Sequence, residues 1–367
     1  MTATVKNIKS QSDQSFFQNN IPAFGFIFYT LFAMALILFL SIGKAFFLPL
    51  VIAVLFWYLI HILRSFVDGI LLKICKCHTV IRYLSFLISI LLFIVVLYKF
   101  ALLLNTNMSL ILKDADTNQA KFVSMITKFM HTLKIKAVIN QNTVINFINI
   151  KSVVEFLLTS LSSLVANAGM VFVYLIFIFV EQKCFGIKLE KVVKNNKTRQ
   201  QIWDVLRKID RNMKMYITVK TGISFATATV AYFIMQSVGL QYSAFWGLLL
   251  FIMNYIPTFG SIISSILPMI FAVSQFESML PIAIVCVGLI LTQFFFGNYL
   301  EPKILGRTLN LSPLVIIISL VIWGMIWGVV GMFLCVPIMS LVMAALSAIP
   351  STQKIAILLS EGGEIVK

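Results

Sequence analysis

Two long apolar stretches in the C-terminal third of the chain are interrupted near their middles, and these interruptions constrain the fold most strongly. The first stretch, residues 243–274, contains the run NYIPTFG at 254–260. The second, residues 312–348, contains three glycines and two tryptophans within residues 323–331. Backbone that leaves the helix at membrane depth is tolerated only where protein or a water-filled cavity satisfies its polar groups. In transporters such breaks cluster at the binding site.

The composition indicates a membrane protein. The 367 residues are 60% hydrophobic and 11% charged, whereas a soluble domain carries about 25% charged residues. The net charge of +16 does not predict nucleic-acid binding, because no basic run is interleaved with a known reader motif. Membrane proteins keep excess Lys and Arg in cytoplasmic loops and attract anionic lipid through them. We therefore expect the lipid bilayer as a partner, and no nucleic acid.

Apolar stretches of the length that crosses a bilayer as helix, about 20 residues, recur along the chain. We predict an all-α polytopic membrane protein with about eight hydrophobic segments, two of them broken, re-entrant helical hairpins. The predicted regions are 1–104 (three N-terminal spans), 105–152 (an extracytoplasmic amphipathic region), 153–180 (a fourth span), 181–215 (a cytoplasmic basic amphipathic helix), 216–348 (a transport core with both broken blocks) and 349–367 (a polar C-terminal tail).

The distribution of Lys and Arg predicts the orientation. Residues 181–214 hold ten basic and four acidic residues, and cytoplasmic segments carry such an excess. Counting the predicted spans places this segment and both termini in the cytoplasm. The same basic stretch is either a helix on the lipid surface or a contact for a partner or a second copy, and the sequence leaves both interpretations open.

The two broken blocks are related by an offset of 69 residues. Ser243 corresponds to Ser312 and Pro268 to Pro337, so both Ser-to-Pro distances are 25 residues. Each half helix would be roughly 10 to 15 residues, about half of what a bilayer needs. With one span between them, the hairpins would enter from opposite faces, as in the inverted repeats of many secondary transporters. Two ordinary kinked helices with a chance similarity are the alternative.

Glu301 is the acid that we single out for chemistry. It precedes Pro302 at the end of an apolar segment, and an ionisable group at membrane depth predicts a functional site. It could bind a cation or exchange a proton, or it could be a helix-end carboxylate paired with Lys303 or Arg307. Lys220, inside another predicted span, could extend to the interface or meet Glu301 in the fold.

Uncharged polar side chains in apolar segments can line a path or hydrogen-bond between helices. Asn254 is the stronger site candidate among them, because Pro257 removes a backbone donor just downstream. The predicted substrate or ion path consists of Glu301, Asn254, Asn298, Lys220 and Gln293. The predicted structural breaks are Pro257, Gly260, Pro302, Gly306, Pro313, Gly324, Gly328 and Gly331.

The sequence predicts no enzyme, no cofactor and no metal site. It contains neither the phosphate-binding GxxxxGK[ST] motif nor HExxH, and its three histidines are scattered. Cys75 and Cys77 have no second Cys/His pair that would complete a zinc site.

Two runs of the sequence strongly resemble the bacterial AI-2E family of transporters, also called the PerM-like permeases. They are NYIPTFGSIISSILPMI, from residue 254, and NYLEPKILGRTLNLSPLVIIISLVIWGMIWGVVGMFLCVPI, from residue 298. The run PLVIA at residues 49–53 extends the resemblance. The residues at family-like spacing are Asn298, Glu301, Pro302, Gly306, Leu311, Pro313, Trp323, Gly324, Gly331 and Pro337.

The resemblance implies a bacterial inner-membrane protein that exports small molecules, with autoinducer-2 as the name-giving substrate. It also implies homo-oligomers, and other members of the family are associated with sodium/proton antiport. An antiporter on the same scaffold, with Glu301 as the coupling carboxylate, is therefore an alternative. A non-transporting membrane scaffold that recruits a partner through residues 188–215 is another.

Overall fold

The computed structural model describes residues 30–32, 34–74, 78–132, 152, 155–156, 159, 168–305, 310–349 and 351–363. The chain divides into two compact units, Met1–Leu48 and Pro49–Lys367, and the candidate site lies within the second. The described residues form helices and turns without any strand, which confirms the predicted all-α class.

The helices follow one another with short connections. A short apolar helix, Thr30–Ile42, precedes the labelled elements. The labelled elements are α1 (Lys44–Ile74), α2 (His78–Thr132), α3 (Ala168–Val192), α4 (Asn196–Ser237), α5 (Ser243–Met253), α6 (Phe259–Gln275), α7 (Met279–Gln293), a π-helix (Phe294–Leu300), α8 (Glu301–Leu305), α9 (Pro313–Trp327), α10 (Val329–Ala348) and α11 (Gln353–Leu359).

In the described part of the chain, six helical segments are long and apolar enough to cross a membrane by length and composition. Large apolar side chains on their outward faces, such as Leu91, Phe177 and Phe225, are more than half exposed. An apolar surface of this kind is unfavourable in water and matches the hydrocarbon of a bilayer. The six segments are Lys44–Leu72, Tyr83–Leu104, Ala168–Val192, Asn196–Ser237, Met279–Leu305 and Val329–Ala348.

Two predicted boundaries differ from the structure. The region predicted to begin at residue 105 continues α2, a single helix of 55 residues. The predicted helix over 181–215 is wrong as one element, because α3 ends at Val192 and α4 begins at Asn196. The side chain of Asn195 accepts a hydrogen bond from the Lys197 N–H and caps the new helix. Because residues 196–221 hold neither Gly nor Pro, α4 continues unbroken into the predicted fifth span.

The predicted polar tail, residues 349–367, includes the ordered helix α11. Ala356 on this helix is fully buried and packs in a small apolar cluster with Leu311 and Met343. The backbone N–H of Ser312 donates to the carbonyl of Leu359 at 3.0 Å. The segment after α10 therefore packs on the beginning of α9, and the tail is part of the fold.

Some predictions fall on residues that lie outside the described ranges. The predicted first span, residues 21–41, is described only from residue 30 onward, with residue 33 excepted. The predicted fourth span, residues 153–180, is described mainly from residue 168. The predicted break at Gly306 also lies outside the described residues.

Hairpin 1 consists of α5, a turn at residues 254–258, and α6. This turn confirms most of the predicted break at 254–260, although Gly260 already lies within α6. The side chain of Gln275 closes the base of the hairpin. Its Oε1 accepts from the Gln241 N–H at 2.8 Å, and its Nε2 donates to the Gly239 carbonyl at 2.9 Å. The chain therefore enters and leaves hairpin 1 at the same end.

Hairpin 2 consists of α9, the single residue Gly328, and α10. Gly328 has φ +67° and ψ −148°, a backbone conformation that residues with a Cβ rarely adopt. The predicted non-helical break at 323–331 is therefore wrong in extent, since the residues on both sides of Gly328 are helical. The Ser312–Leu359 hydrogen bond places the entry of this hairpin beside the segment that follows its exit.

One glycine in each hairpin permits a close approach between the two arms. A Cβ on Gly260 would lie 1.8 Å from the Met253 carbonyl oxygen, and a Cβ on Gly331 would lie 1.9 Å from the Trp323 carbonyl oxygen. Both distances are far inside van der Waals contact. Each hairpin can fold back this tightly only because the first turn of its second arm carries a glycine.

The arms of the two hairpins are unequal in length. The first arms have 11 and 15 residues and the second arms 17 and 20, so the expected 10 to 15 residues is too short for both second arms. Pro268 lies nine residues after Phe259, and Pro337 lies eight residues after Val329, so the two prolines occupy similar places. The 27-residue segment Met279–Leu305 connects the base of hairpin 1 to the loop before hairpin 2.

Candidate functional site

A strip of polar side chains lies on α4 where hairpin 1 and α8 pack against it. We call this strip the polar seam. From α4 it takes Lys220, Thr221 and Ser224, which lie within about one helical turn of one another. Its members are Lys220, Thr221, Ser224, Asn254, Tyr255 and Glu301.

An ion pair between Lys220 and Glu301 forms one end of the seam. The Lys220 Nζ lies 2.5 Å from a carboxylate oxygen of Glu301, and the two side chains are 6% and 18% exposed. The structure therefore joins α4 to α8 through the second of the two arrangements considered for Lys220. An ion pair this well buried is held by its own geometry, because each charge would cost several kcal/mol in the interior without the other.

The predicted alternatives for Glu301 are not the arrangement found. The Lys303 Nζ lies 3.4 Å from the Tyr299 hydroxyl and 5.3 Å from the centre of that ring. Arg307 lies outside the described residues. Glu301 is therefore part of a contact between distant helices, since Lys220 precedes it by 81 residues.

The π-helix Phe294–Leu300 determines the direction of Glu301. The Glu301 N–H donates to the carbonyl of Phe296, five residues earlier. In an α-helix the ring of Pro302 would clash with the carbonyl four residues before it, and one extra residue in the turn relieves that clash. An inserted residue rotates everything downstream by about 100° around the axis. Without the π-helix, Glu301 would not face Lys220.

Two hydrogen bonds fix the tip of hairpin 1 on the same strip of α4. The Asn254 Nδ2 donates to the Ser224 Oγ at 3.1 Å, and both residues are buried. The hydroxyls of Tyr255 and Thr221 lie 2.6 Å apart. Asn254 thus makes a hydrogen bond between helices, the second possibility that the sequence left open for it.

The tip of hairpin 1 also touches hairpin 2. The ring centres of Tyr255 and Phe333, the latter on α10, are 4.7 Å apart. The turn that closes hairpin 1 is thus held between α4 and hairpin 2. A displacement of this turn would change contacts with both.

The remaining predicted path residues lie on the segment that ends at Glu301. Asn298 is exposed on the π-helix and is not part of the polar seam. The Gln293 side-chain nitrogen and oxygen are buried and have no hydrogen-bond partner in the described structure. Lys220, Asn254 and Glu301 are therefore brought together, while Asn298 is not.

The predicted breaks have different roles. Pro257 lies in the turn of hairpin 1, Pro302 in the first turn of α8, and Pro313 at the first position of α9. A proline at the start of a helix removes no hydrogen bond that the helix needs. Gly324 is not a break, because it lies inside α9 and a Cβ there would lie 2.7 Å from the Met332 Cε.

The sequence analysis missed Thr221, Ser224 and Tyr255, and it missed the π-helix. A signal for the first two was present, because Lys220, Ser224 and Thr227 recur at helical spacing within a predicted span. Among the described residues, no three His, Cys, Asp or Glu side chains lie together as metal ligands.

Sequence comparisons give the family of this chain. The sequence profile of AI-2E family transporters matches residues 26–351. The AI-2 transport protein TqsA of Escherichia coli K12 is 35% identical over 205 residues, which are 56% of this chain and 58% of TqsA. The putative transport protein YhhT of the same organism is 29% identical over 259 residues, 66% of this chain and 72% of YhhT.

A third relative is a putative transport protein of Haemophilus influenzae, 32% identical over 215 residues, which are 58% of this chain and 61% of that protein. The match spans less than two thirds of the length of TqsA. The profile, by contrast, covers the described spans of the second unit, both hairpins and the polar seam. The chain, a multi-pass bacterial membrane protein, therefore belongs to the AI-2E family of transporters.

Proposed function

We propose that this protein exports a small polar molecule of the AI-2 type across the bacterial inner membrane. The single observation that carries the proposal is the buried Lys220–Glu301 ion pair beside the tip of hairpin 1. A charged pair of this kind within an apolar segment is expensive and marks substrate or ion pathways in membrane proteins. The name of the relative TqsA supplies the solute.

The ion pair would act as the element that changes state during transport. While both groups are charged, their attraction holds α8 against α4. A proton or cation that occupies Glu301 would weaken that attraction, because the carboxylate would no longer balance the Lys220 ammonium. The tip of hairpin 1 lies within about one turn of the pair on α4, so a shift of α8 would alter the surroundings of Asn254.

Sodium/proton antiport on the same scaffold is the second candidate function. It is favoured by Glu301, whose side chain retains 18% exposure while Lys220 retains 6%. A small cation would therefore reach the carboxylate more readily than the ammonium.

We further propose that both termini and the basic segment 181–214 are cytoplasmic and that the protein is a homo-oligomer in the bilayer. The excess of basic over acidic residues in that segment supports the orientation. Cys184 is exposed on α3 and serves as a probe in a variant that retains this cysteine alone. An impermeant thiol reagent should leave it unlabelled in intact cells and label it after lysis. Labelling from outside the cell would reverse the proposed orientation.

The test of the transport proposal measures AI-2 flux in proteoliposomes made with the full chain, with and without a proton or sodium gradient. Glu301→Gln should abolish gradient-driven AI-2 flux and lower stability by about 3 kcal/mol, since it leaves the Lys220 charge buried without its partner. The double variant Lys220→Met with Glu301→Gln should recover most of that stability, because neither charge remains. It should not recover transport.

The possible outcomes separate the roles. Wild-type flux of sodium or protons without AI-2 flux would favour the antiporter. Recovery of AI-2 transport in the double variant would show that the pair only stabilises the fold. A wild-type protein that moves none of these species would overturn the proposed function.

A further inference from the structure

Gln293, the last residue of α7, has a buried amide that no protein group satisfies. Neither its side-chain nitrogen nor its oxygen has a hydrogen-bond partner, although both atoms are buried. The neighbouring Thr292 differs, since its hydroxyl donates to the Gly288 carbonyl at 2.6 Å. A buried amide without partners is costly, and native proteins keep few such groups.

The packing of α7 on α4 places Gln293 along the line of the polar seam. The helices run antiparallel, because Gly288 lies against Ile234 and Glu301 contacts Lys220. Thirteen residues forward on one helix thus correspond to fourteen residues back on the other. By the same register Gln293, five residues after Gly288, lies beside the turn of α4 around Ala228. That is about 12 Å along α4 from Lys220, at 1.5 Å per residue.

Polar groups therefore recur at three levels along α4. The Lys220–Glu301 pair is the first and the Ser224–Asn254 hydrogen bond is the second. The Gln293 amide, at the level of Ala228, is the third. The first two are satisfied within the protein, whereas the third is not. Gly297, one turn after Gln293, leaves room there, because a Cβ on it would meet only the Gln293 Oε1, at 3.8 Å.

We propose that Gln293 contacts the transported solute and selects for a hydroxyl group. Its amide can donate through nitrogen and accept through oxygen, which matches a hydroxyl that does both. A site built for such a hydrogen bond rejects an analogue that lacks the hydroxyl, because the buried amide then stays unpaired. The inference rests on the proposed function, since the solute is the one that the protein exports.

The test compares Gln293→Met with the wild-type protein in stability and in AI-2 flux. Methionine keeps the length of the side chain and removes both unpaired polar atoms. The melting temperature should rise, by about 2 °C, because a buried unsatisfied group has been removed. AI-2 flux at low concentration should fall roughly 10-fold, as expected for one lost hydrogen bond to the solute.

Gln275→Met is the matched control, because the amide of Gln275 is satisfied by Gln241 and Gly239. Its melting temperature should fall while AI-2 flux per folded molecule is retained. A fall in both quantities for Gln293→Met would show a structural role and overturn the inference, and so would unchanged flux. A wild-type protein without AI-2 flux would overturn the proposed function together with this inference.

Discussion

The two hairpins share a fold-back geometry but differ at the tip. Hairpin 1 closes through a five-residue turn, 254–258, that bears Asn254 and Tyr255 and makes hydrogen bonds to α4. Hairpin 2 closes through Gly328 alone, and the rings of Trp323 and Trp327 lie beside it, 5.0 Å apart. The polar tip contributes to the candidate site, whereas the apolar tip does not.

This difference shows how a repeat can diverge in function while it keeps its backbone. The close approach of the arms is the same, because Gly260 and Gly331 both face a carbonyl of the first arm. What changes is the chemistry at the tip. At the offset of 69 residues that relates the two blocks, buried Asn254 in hairpin 1 corresponds to Trp323 in hairpin 2. The close approach therefore supports the fold of both hairpins, and only hairpin 1 supports the polar seam.

The largest expected effect comes from filling the close approach in either hairpin. Gly260→Ala and Gly331→Ala would each place a Cβ less than 2 Å from a carbonyl oxygen. The arms would have to separate, and we expect a loss of more than about 3 kcal/mol in stability. The measurement is the yield of folded protein by size-exclusion chromatography and its melting temperature.

Gly222→Ala is the control for this pair, since a Cβ at Gly222 would meet no atom within 4 Å. In the interior of α4 it should stabilise the helix, by up to about 1 kcal/mol. If Gly331→Ala folds normally while Gly260→Ala does not, the two hairpins do not share the close approach as a structural requirement.

A smaller effect is expected when the polar tip of hairpin 1 is made apolar. Asn254→Leu keeps the side-chain size, removes the hydrogen bond to Ser224, and leaves that hydroxyl with one partner fewer. We expect a loss of about 1–2 kcal/mol in stability and a roughly 10-fold fall in AI-2 flux per folded molecule. Melting temperature and proteoliposome flux measured on one preparation separate the two effects.

Trp323→Phe is the matched variant in hairpin 2, at the corresponding position of the repeat. It should lower the melting temperature through lost packing against Trp327 and retain AI-2 flux per folded molecule. An equal loss of flux in both variants would contradict the functional difference between the tips.

Much of the fold was predictable because apolar length and backbone-breaking residues act locally. The span Tyr83–Leu104 was predicted at its observed bounds, since a bilayer requires about 20 apolar residues. Pro257 and Gly260 indicated the turn of hairpin 1 because proline lacks a donor and glycine lacks a Cβ. The same reasoning overestimated the break around Gly328, since Trp323 and Gly324 are compatible with helix and only their packing shows their role.

The sequence by itself determined that the chain is an all-α membrane protein of the AI-2E family and that residues 254–258 leave the helix. It also indicated Glu301, because a carboxylate beside an apolar segment stands out without any knowledge of its neighbours. Only the tertiary structure decided that Glu301 pairs with Lys220 and that Asn254 binds Ser224. These contacts join residues distant in the chain, and their existence depends on a π-helix rotation and on helix register. Both are set by packing between helices, and no local pattern in the sequence encodes them.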